Sequence, residues 1–405
     1  MNVSFGMITR SFNTLDPIED FLDNASKHGQ KVYSVVIGYS FNCNYELVEA
    51  LRKRVNVFTV KINEANFMRQ EMRAMGISTK TISTLLDVPS LERSNLVPYG
   101  INRNHVVMKS MLTGSDVLIF IDTDVYPRLL VNKDGETYEQ DIDFVGRHMA
   151  YLKDEEVAVT TSDYSGFYII PPMKFDGMKE LFAGLQKENV YTYLMNHDEH
   201  HCLAYANEEE RAPFITNKIL GGNVAIKLDV FKKILPFFST VYEVNGMEYL
   251  TRGEDTLLGL ELNKAPRTKC IDIDTRIFHN TFNNYPMVPD VLEDQNIKSR
   301  FFYACMGWIG RNPFMNHING ADLDAMRDEQ YANLLIGAPK AAVYFNDARF
   351  LQLPEALLAS YEQASRVVDE YHELSRSWRE FIKKCHLNPR GGYDNESVDS
   401  ESFPA

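Results

Sequence analysis

The chain has 405 residues, 44% hydrophobic and 24% charged, with a formal net charge of −14 at pH 7. That composition is ordinary for a water-soluble globular fold of two or three domains, and the acidic balance disfavours nucleic acid or an anionic membrane as the main ligand. Five cysteines, none spaced as CxxC, argue against a disulfide framework or zinc knuckle and suit a reducing compartment. The N-terminal "MNVSFGMITRSF" has no basic region followed by an apolar run, and no apolar stretch approaches the ~20 residues needed to span a bilayer. The expectation is a cytoplasmic protein without a transmembrane segment.

In chain order, "VSFGMIT" (3–9) predicts a strand. Asp16 reads as a helix N-cap, with Pro17 at the first helical position and Glu19 behind it, and Lys27, His28 and Gly29 mark that helix's end. "KVYSVVIGYS" (31–40) predicts a second strand, 45–54 a second helix and "VNVFTVKI" (55–62) a third strand. Residues 63–95 give no clear pattern. "NRNHVVMKSMLTG" (102–114) predicts a helix closed by Gly114, and "DVLIFID" a fourth strand. Such alternation predicts a parallel sheet with helices on both faces, and the unbroken apolar run "VLIFI" suits a central strand. From about 125 to 285 the pattern loosens. "PPMKF" and "NHDEHHC" read as loops, 219–227 as a turn into a strand, Asp229 as the cap of a helix running to Phe238, and "CIDIDTRIFH" (270–279) as a strand.

Beyond about 290 the pattern is helical. Leu357, Tyr361, Ala364, Val368, Tyr371, Leu374, Trp378 and Phe381 recur at steps of three and four, which predicts one apolar stripe on a long helix. That helix either docks on its own chain or makes a homodimer contact. Residues 389–405, rich in Gly, Ser and acids, predict a disordered tail.

Asp-x-Asp occurs at 122/124, 141/143, 272/274 and 322/324. Only Asp122 and Asp124 follow a buried-strand run and then enter a turn, "VYP". Side chains two apart on a strand share a side, and ligands of open parallel sheets bind beyond the strands' carboxyl ends. Unpaired buried carboxylates are costly, so a positive group belongs there. A hard divalent cation is one answer, because such ions take carboxylates and substrate phosphates together. An Arg or Lys neighbour is the other.

These segments resemble the GT-A class of nucleotide-sugar-dependent glycosyltransferases over about residues 1–285. The likeness rests on "YGINRNHVVMKSM", "VLIFIDTDVYP", "LGGNVAIKLDVF", "RGEDTLLGLEL" and "IFHNTF", in that order. It implies an α/β, Rossmann-like, mostly parallel central sheet flanked by helices, with a helical C-terminal extension. The implied division is a catalytic domain at 1–288 (a nucleotide-binding half at 1–125, an acceptor half at 126–288), helices at 289–388 and the tail. It also implies a nucleoside-diphosphate sugar donor, a hydroxyl acceptor, either a small molecule or a glycan, and Mn2+ or Mg2+. Asp124 would ligate the metal, Asp122 would contact the donor's ribose or the metal, and His279 would complete the metal site. Thr9, Arg10 and Tyr39 would touch the nucleotide; Tyr39 would stack on a base or else be a core tyrosine. Arg103, read at a helix start, would meet a phosphate. Gly221, Gly222 and Asn223 would form the acceptor segment, the glycines admitting close backbone approach or simply making a tight turn. Glu254 and Asp255 would open a helix. In inverting members the aspartate of this pair takes the acceptor's proton, and in retaining members it positions the acceptor. A plain helix cap is the alternative. His197 and His201, four apart, lack the context of a zinc site and read as a polar loop near the acceptor.

Two rival readings remain. A sugar nucleotidyltransferase would carry a glycine-rich basic loop after the first strand, where this chain has "TRSFNTLDP" without glycine. A non-catalytic nucleotide-sugar binder would keep Arg103 and Asp122 but could dispense with Asp255.

Overall fold

The apolar runs pair side by side. In a computed structural model that describes residues 1–134, 136–167, 170, 171, 173–186, 203, 204, 212–282, 285, 287 and 289–387, strands β1 (Val3–Thr9), β2 (Ser34–Tyr39), β3 (Asn56–Lys61) and β4 (Val117–Ile121) lie parallel in the order β4-β1-β2-β3. All five residues of β4 are buried, as a strand covered on both faces requires. The loop carrying His197 and His201 and the tail at 389–405 lie outside the described residues.

Helices connect the strands. In α1 (Ile18–Lys27) the cap position belongs to Pro17, with no side-chain capping bond, so Asp16 stands one residue too early to cap. Asn44 caps α2 (Tyr45–Arg52), accepting from the backbone N–H groups of Glu46 and Leu47. The stretch without a clear pattern folds as three short helices, α3 (Asn66–Ala74), α4 (Thr79–Leu86) and α5 (Pro89–Ser94). α6 (Tyr99–Leu112) begins three residues before the expected start, and Gly114, at φ +86°, ends it.

The second half extends the sheet. Strands β5 (Val125–Tyr126), β6 (Arg128–Lys133) and β7 (Glu136–Asp141) lead into α7 (Phe144–Leu152), β8 (Val157–Phe167) and α8 (Met178–Gly184). Then come β9 (Leu203–Ala204), β10 (Phe214–Ile215) and β11 (Asn223–Lys227). Where a capped helix from Asp229 was expected, a 3-10 turn spans Leu228–Lys232 with Lys227 before it. β12 (Val241–Val244) and β13 (Met247–Leu250) form a hairpin whose turn residues, Asn245 and Gly246, both take positive φ. α9 (Glu254–Lys264) and β14 (Lys269–Asn280) complete this half. The sheet runs β10-β14-β8-β11-β4-β1-β2-β3. β11 is antiparallel to both β4 and β8, and β14 is parallel to β8, so β1–β4, β8 and β14 share one direction. The result is the mostly parallel, helix-flanked α/β sheet that the sequence predicts.

Four helices follow: α10 (Gln295–Ile318), α11 (Leu323–Tyr344), α12 (Leu353–Glu362) and α13 (Ala364–Leu387). The expected single stripe is therefore split. Gln363, between α12 and α13, bonds both backbone groups of Glu243, which pins the chain at the break. Leu357 packs in the α10–α12 cluster, whereas Trp378 and Phe381 of α13 enter the core beneath the sheet. Trp378 stacks edge-on to Phe231 at 5.7 Å and donates to its carbonyl. Glu380 accepts from Ser78 N (2.8 Å) and Thr81 Oγ1 (2.6 Å) of the α4 turn. α13 thus docks on its own chain. Among the described residues no helix is long and apolar enough to cross a membrane.

Candidate active site

Because β1, β2, β4, β8 and β14 run the same way, their carboxyl ends gather along one edge of the sheet. β4 delivers Asp122 and Asp124 there, β8 delivers Tyr164, and β14 delivers His279. β11 runs back against β4 with Asn223 opposite Ile121, which lays Gly221 and Gly222 beside Asp122.

At the centre is Arg103. It lies one turn inside α6 rather than at a helix start, with its side chain only 5% exposed. Nε donates to Glu254 Oε1 (3.1 Å), Nη1 to Gly221 O (2.9 Å) and Nη2 to Asp122 Oδ1 (3.3 Å). Phe120 lies under the guanidinium at 4.9 Å. Three of its N–H groups are therefore committed within the protein, and Arg103 is the keystone between β4, the glycine turn and α9. Burial pushes the Glu254 carboxyl up, Asp255 adds to that, and Arg103 pulls it back. The Asp122 carboxyl is also pushed up by burial, opposed by Arg103 and helped by Asp124, but its side chain is 34% exposed and water tempers that shift.

The glycine turn follows from this pair. A Cβ on Gly222 would sit 2.4 Å from Asp122 Oδ2, and one on Gly221 2.5 Å from Arg103 Nη2. The ion pair itself fills the space that side chains there would need. Asn223 does not face an acceptor: it is fully buried, its amide donating to Ser162 O (3.1 Å) and its Oδ1 lying 3.2 Å from His148 Nε2.

α9 begins after Gly253, at φ +91°, a conformation that favours glycine. Asp255 lies in the first turn, with Oδ1 accepting from Thr256 N (2.7 Å) and Oδ2 from Gly221 N (3.1 Å). The same turn therefore orients Asp255 and braces Asp122. Glu254 is the structural member of the pair, buried against Arg103, and Asp255 the one held at the edge.

Asp124 has different company. His279 Nε2 lies 3.6 Å from Oδ1, while Oδ2 receives Arg300 Nη2 (3.3 Å) and Thr281 Oγ1 (3.4 Å). Asn280 N donates to its carbonyl at 2.8 Å, joining the turn after β4 to the end of β14. The Asp124 carboxyl is held well below the usual carboxylate range: burial would raise it, but His279 and Arg300 together outweigh that. The His279 ring stacks on Tyr164 with centroids 4.4 Å apart, and its buried Nδ1 has no hydrogen-bond partner among the described residues. Stacking on Tyr164 thus helps to fix the ring.

Of the three residues expected to form a metal centre, Asp124 and His279 come together. Asp122 places one oxygen, Oδ1, 3.3 Å from Arg103 Nη2, and its side chain stays 34% exposed. Among the described residues no three His, Cys, Asp or Glu side chains form a ready-made cage. The pair nevertheless fits a hard or borderline cation. Oδ1 and Nε2 face each other at roughly the separation of neighbouring ligands on one ion, and ions of the Mg2+ type commonly take few protein ligands and fill the rest with water and phosphate.

At the end of β1, Arg10 is exposed, its guanidinium 5.0 Å from the Phe41 ring, and Thr9 Oγ1 donates to Ser11 O. Tyr39 takes the core alternative: it is buried, and its hydroxyl bonds Tyr45 at 2.9 Å, so the ring is not offered to a base. Burial pushes its phenol far up, so it stays protonated. Two residues escaped sequence reasoning. Tyr164 stacks on His279, and its phenol is pushed up by burial first and then by the charges of Asp122, Asp124 and Asp255. Arg300 reaches Asp124 from 176 residues away. Neither belongs to a motif, and only topology brings them in.

No protein-family model matches the sequence, and no curated protein sequence matches it. Among solved structures, glucosyl-3-phosphoglycerate synthase from Mycobacterium tuberculosis with Mn2+ and UDP-glucose is similar at 14% identity, over 76% of this chain and 78% of that chain, with a TM-score of 0.37. The same enzyme with Mn2+, UDP and phosphoglyceric acid gives 14% identity over 75% and 78%, with a TM-score of 0.35. A mycobacterial protein gives 13% identity over 76% and 74%, with a TM-score of 0.37. These are distant likenesses of layout, and the site stands on its own geometry.

Proposed function

We propose that this chain is a metal-dependent glycosyltransferase of the GT-A type, moving a sugar, of the hexosyl class, from a nucleoside diphosphate to an acceptor hydroxyl. The observation that carries the reading is the gathering of Asp124, His279 and Asp255 at the carboxyl edge of one parallel sheet, braced by an internal Arg103–Asp122–Glu254 network. Asp124 and His279 would hold Mn2+ or Mg2+, with Asp122 behind them. A cation held there would supply charge stabilisation to the departing diphosphate, commonly the largest catalytic contribution. Arg10, exposed beyond β1, and the end of β2 line the nucleotide side.

Asp255 is the residue for the acceptor. Two backbone donors fix its carboxylate, so it either accepts the acceptor's proton or orients the hydroxyl. Gly221 and Gly222 keep that carboxylate and Asp122 at fixed spacing. Arg103 acts from behind, through Asp122 and Glu254, which revises its expected role as a direct phosphate ligand. The reading takes the protein as cytoplasmic, with a small molecule or glycan as acceptor, and does not need the dimer contact once expected of the C-terminal helix.

A panel of UDP-, GDP- and ADP-sugars with Mn2+, read by thermal shift, tests it. A true donor at 100 times its Kd stabilises the fold by about 2.7 kcal/mol. Transfer or hydrolysis of the labelled donor must stop with EDTA. Asp124→Ala should remove metal-dependent donor binding, and Asp255→Asn should spare donor affinity while cutting transfer. Donor binding untouched by EDTA and by Asp124→Ala would defeat the reading.

A further inference from the structure

The helices after β14 contribute one side chain to the site, and it lands on the residue expected to hold the cation. Arg300, in the second turn of α10, places Nη2 3.3 Å from Asp124 Oδ2 and 3.2 Å from Thr281 Oγ1, while Nη1 donates to Thr281 O. Thr281 Oγ1 donates to the same Oδ2. Asp124 thus has two faces. Oδ2 is taken by Arg300 and Thr281; Oδ1 looks toward His279 Nε2. The Arg300 side chain is 39% exposed, with both Nη atoms bonded within the protein.

We propose that Arg300 is a positioning residue that sets the charge of the metal site: its guanidinium occupies Asp124 Oδ2, leaves Oδ1 to the cation, and holds cation affinity below what Asp124 and His279 alone would give. This rests on the metal-dependent reading above. Thr281 keeps orienting the carboxylate whether or not Arg300 is present, so the arginine's distinct contribution is its charge. A dication held by the carboxylate that Arg300 also binds would be repelled, in water-like screening, enough to weaken its binding roughly tenfold. The diphosphate of a donor offsets both cations at once. The ion therefore binds weakly alone and firmly with its nucleotide, and Arg300 is then placed to meet a phosphate oxygen.

The test is Mn2+ binding to the full chain without nucleotide, followed by the electron paramagnetic resonance signal of free Mn2+, for wild type, Arg300→Gln and Arg300→Lys. The expected result is roughly tenfold tighter binding in Arg300→Gln and near wild-type affinity in Arg300→Lys, which keeps the charge. Circular dichroism shows whether each variant is folded, and Arg300→Met replaces Arg300→Gln if the latter is not. Equal affinities in wild type and the neutral variant, or weaker binding in the neutral variant, overturn the proposal and leave the metal site standing. Absence of Mn2+ binding in all three overturns the proposal, and absence that persists when a nucleoside diphosphate is added overturns the metal-dependent reading with it.

Discussion

Replacing Arg103 by Met tests the brace at the centre of the site. The thioether keeps most of the stem volume and its contact with Phe120, but leaves Glu254, 9% exposed, without a counter-ion. Removing one partner of a buried ion pair costs about 3–5 kcal/mol. Asp122 adds little, because its side chain is 34% exposed and water can solvate it. We expect a loss of about 4 kcal/mol at pH 7 by urea denaturation followed by circular dichroism. Glu254→Met in the Arg103→Met background removes the stranded charge and should restore about half, so the double-mutant cycle should give a coupling of about 2 kcal/mol plus whatever Glu254→Met costs alone. The sign with pH is also fixed. In Arg103→Met, burial raises the Glu254 pKa above its unfolded value, so folding is favoured below the ordinary carboxyl range and stability falls as pH rises through the folded pKa. The deficit should therefore be smaller at pH 5 than at pH 8. Additive single-variant losses, or a deficit that grows toward pH 5, would refute the account of Glu254 as a charge held by Arg103.

Gly222→Ala places a Cβ 2.4 Å from Asp122 Oδ2, so the carboxylate must retreat by about 1 Å. We expect a melting loss equivalent to about 1–3 kcal/mol and roughly a hundredfold fall in transfer; unchanged turnover would mean that Asp122 is not held in place for catalysis. Burial pushes the His148 imidazole down to about 4, opposed by its bond to Asn223, and His105 is pushed down for the same reason. The folded state then resists protonation that the unfolded chain accepts, so stability is full above pH 6.5 and is lost as pH falls toward 4, by about 3 kcal/mol for His148. Comparing urea midpoints at pH 7 and pH 5 for wild type and His148→Gln measures that share, and identical pH slopes would contradict it. Trp378→Ala removes a buried side chain between α13 and Phe231, and should cost about 3–5 kcal/mol in the same denaturation assay.

What the sequence reveals here is periodic or local. β1 to β4 announce themselves by apolar runs bounded by turn residues, and β14 by its alternation, because both signals depend only on near neighbours. Residues 63–95 carry no comparable signal. The helices there are short, and Leu85 and Leu86 of α4 share their core with Trp378 and Phe381, contacts that no local window contains. Asp16 and Asp229 mislead because a capping residue type is only a preference, and Pro17 and Lys227 hold those positions. At the site, the Asp-x-Asp pair, His279 and the Glu254–Asp255 helix start are legible as motifs. The division of labour among them is not. That Asp122 serves Arg103 while Asp124 faces His279, that Asn223 turns inward to His148, and that Tyr164 and Arg300 join the carboxylates all follow from how β8, β11 and α10 cross the sheet edge.

The bond from Ser78 to Glu380 joins residues 302 apart in sequence. At 5–20 residues per second, roughly 15–60 s of synthesis separate the emergence of α4 from that of the helix that covers it. Until then Ile82, Leu85 and Leu86 have their N-terminal neighbours but lack Trp378 and Phe381, so the α4 side of that core stays incompletely covered. A ribosome stalled before residue 364 should hold a protease-sensitive α4 that becomes resistant once α13 is released.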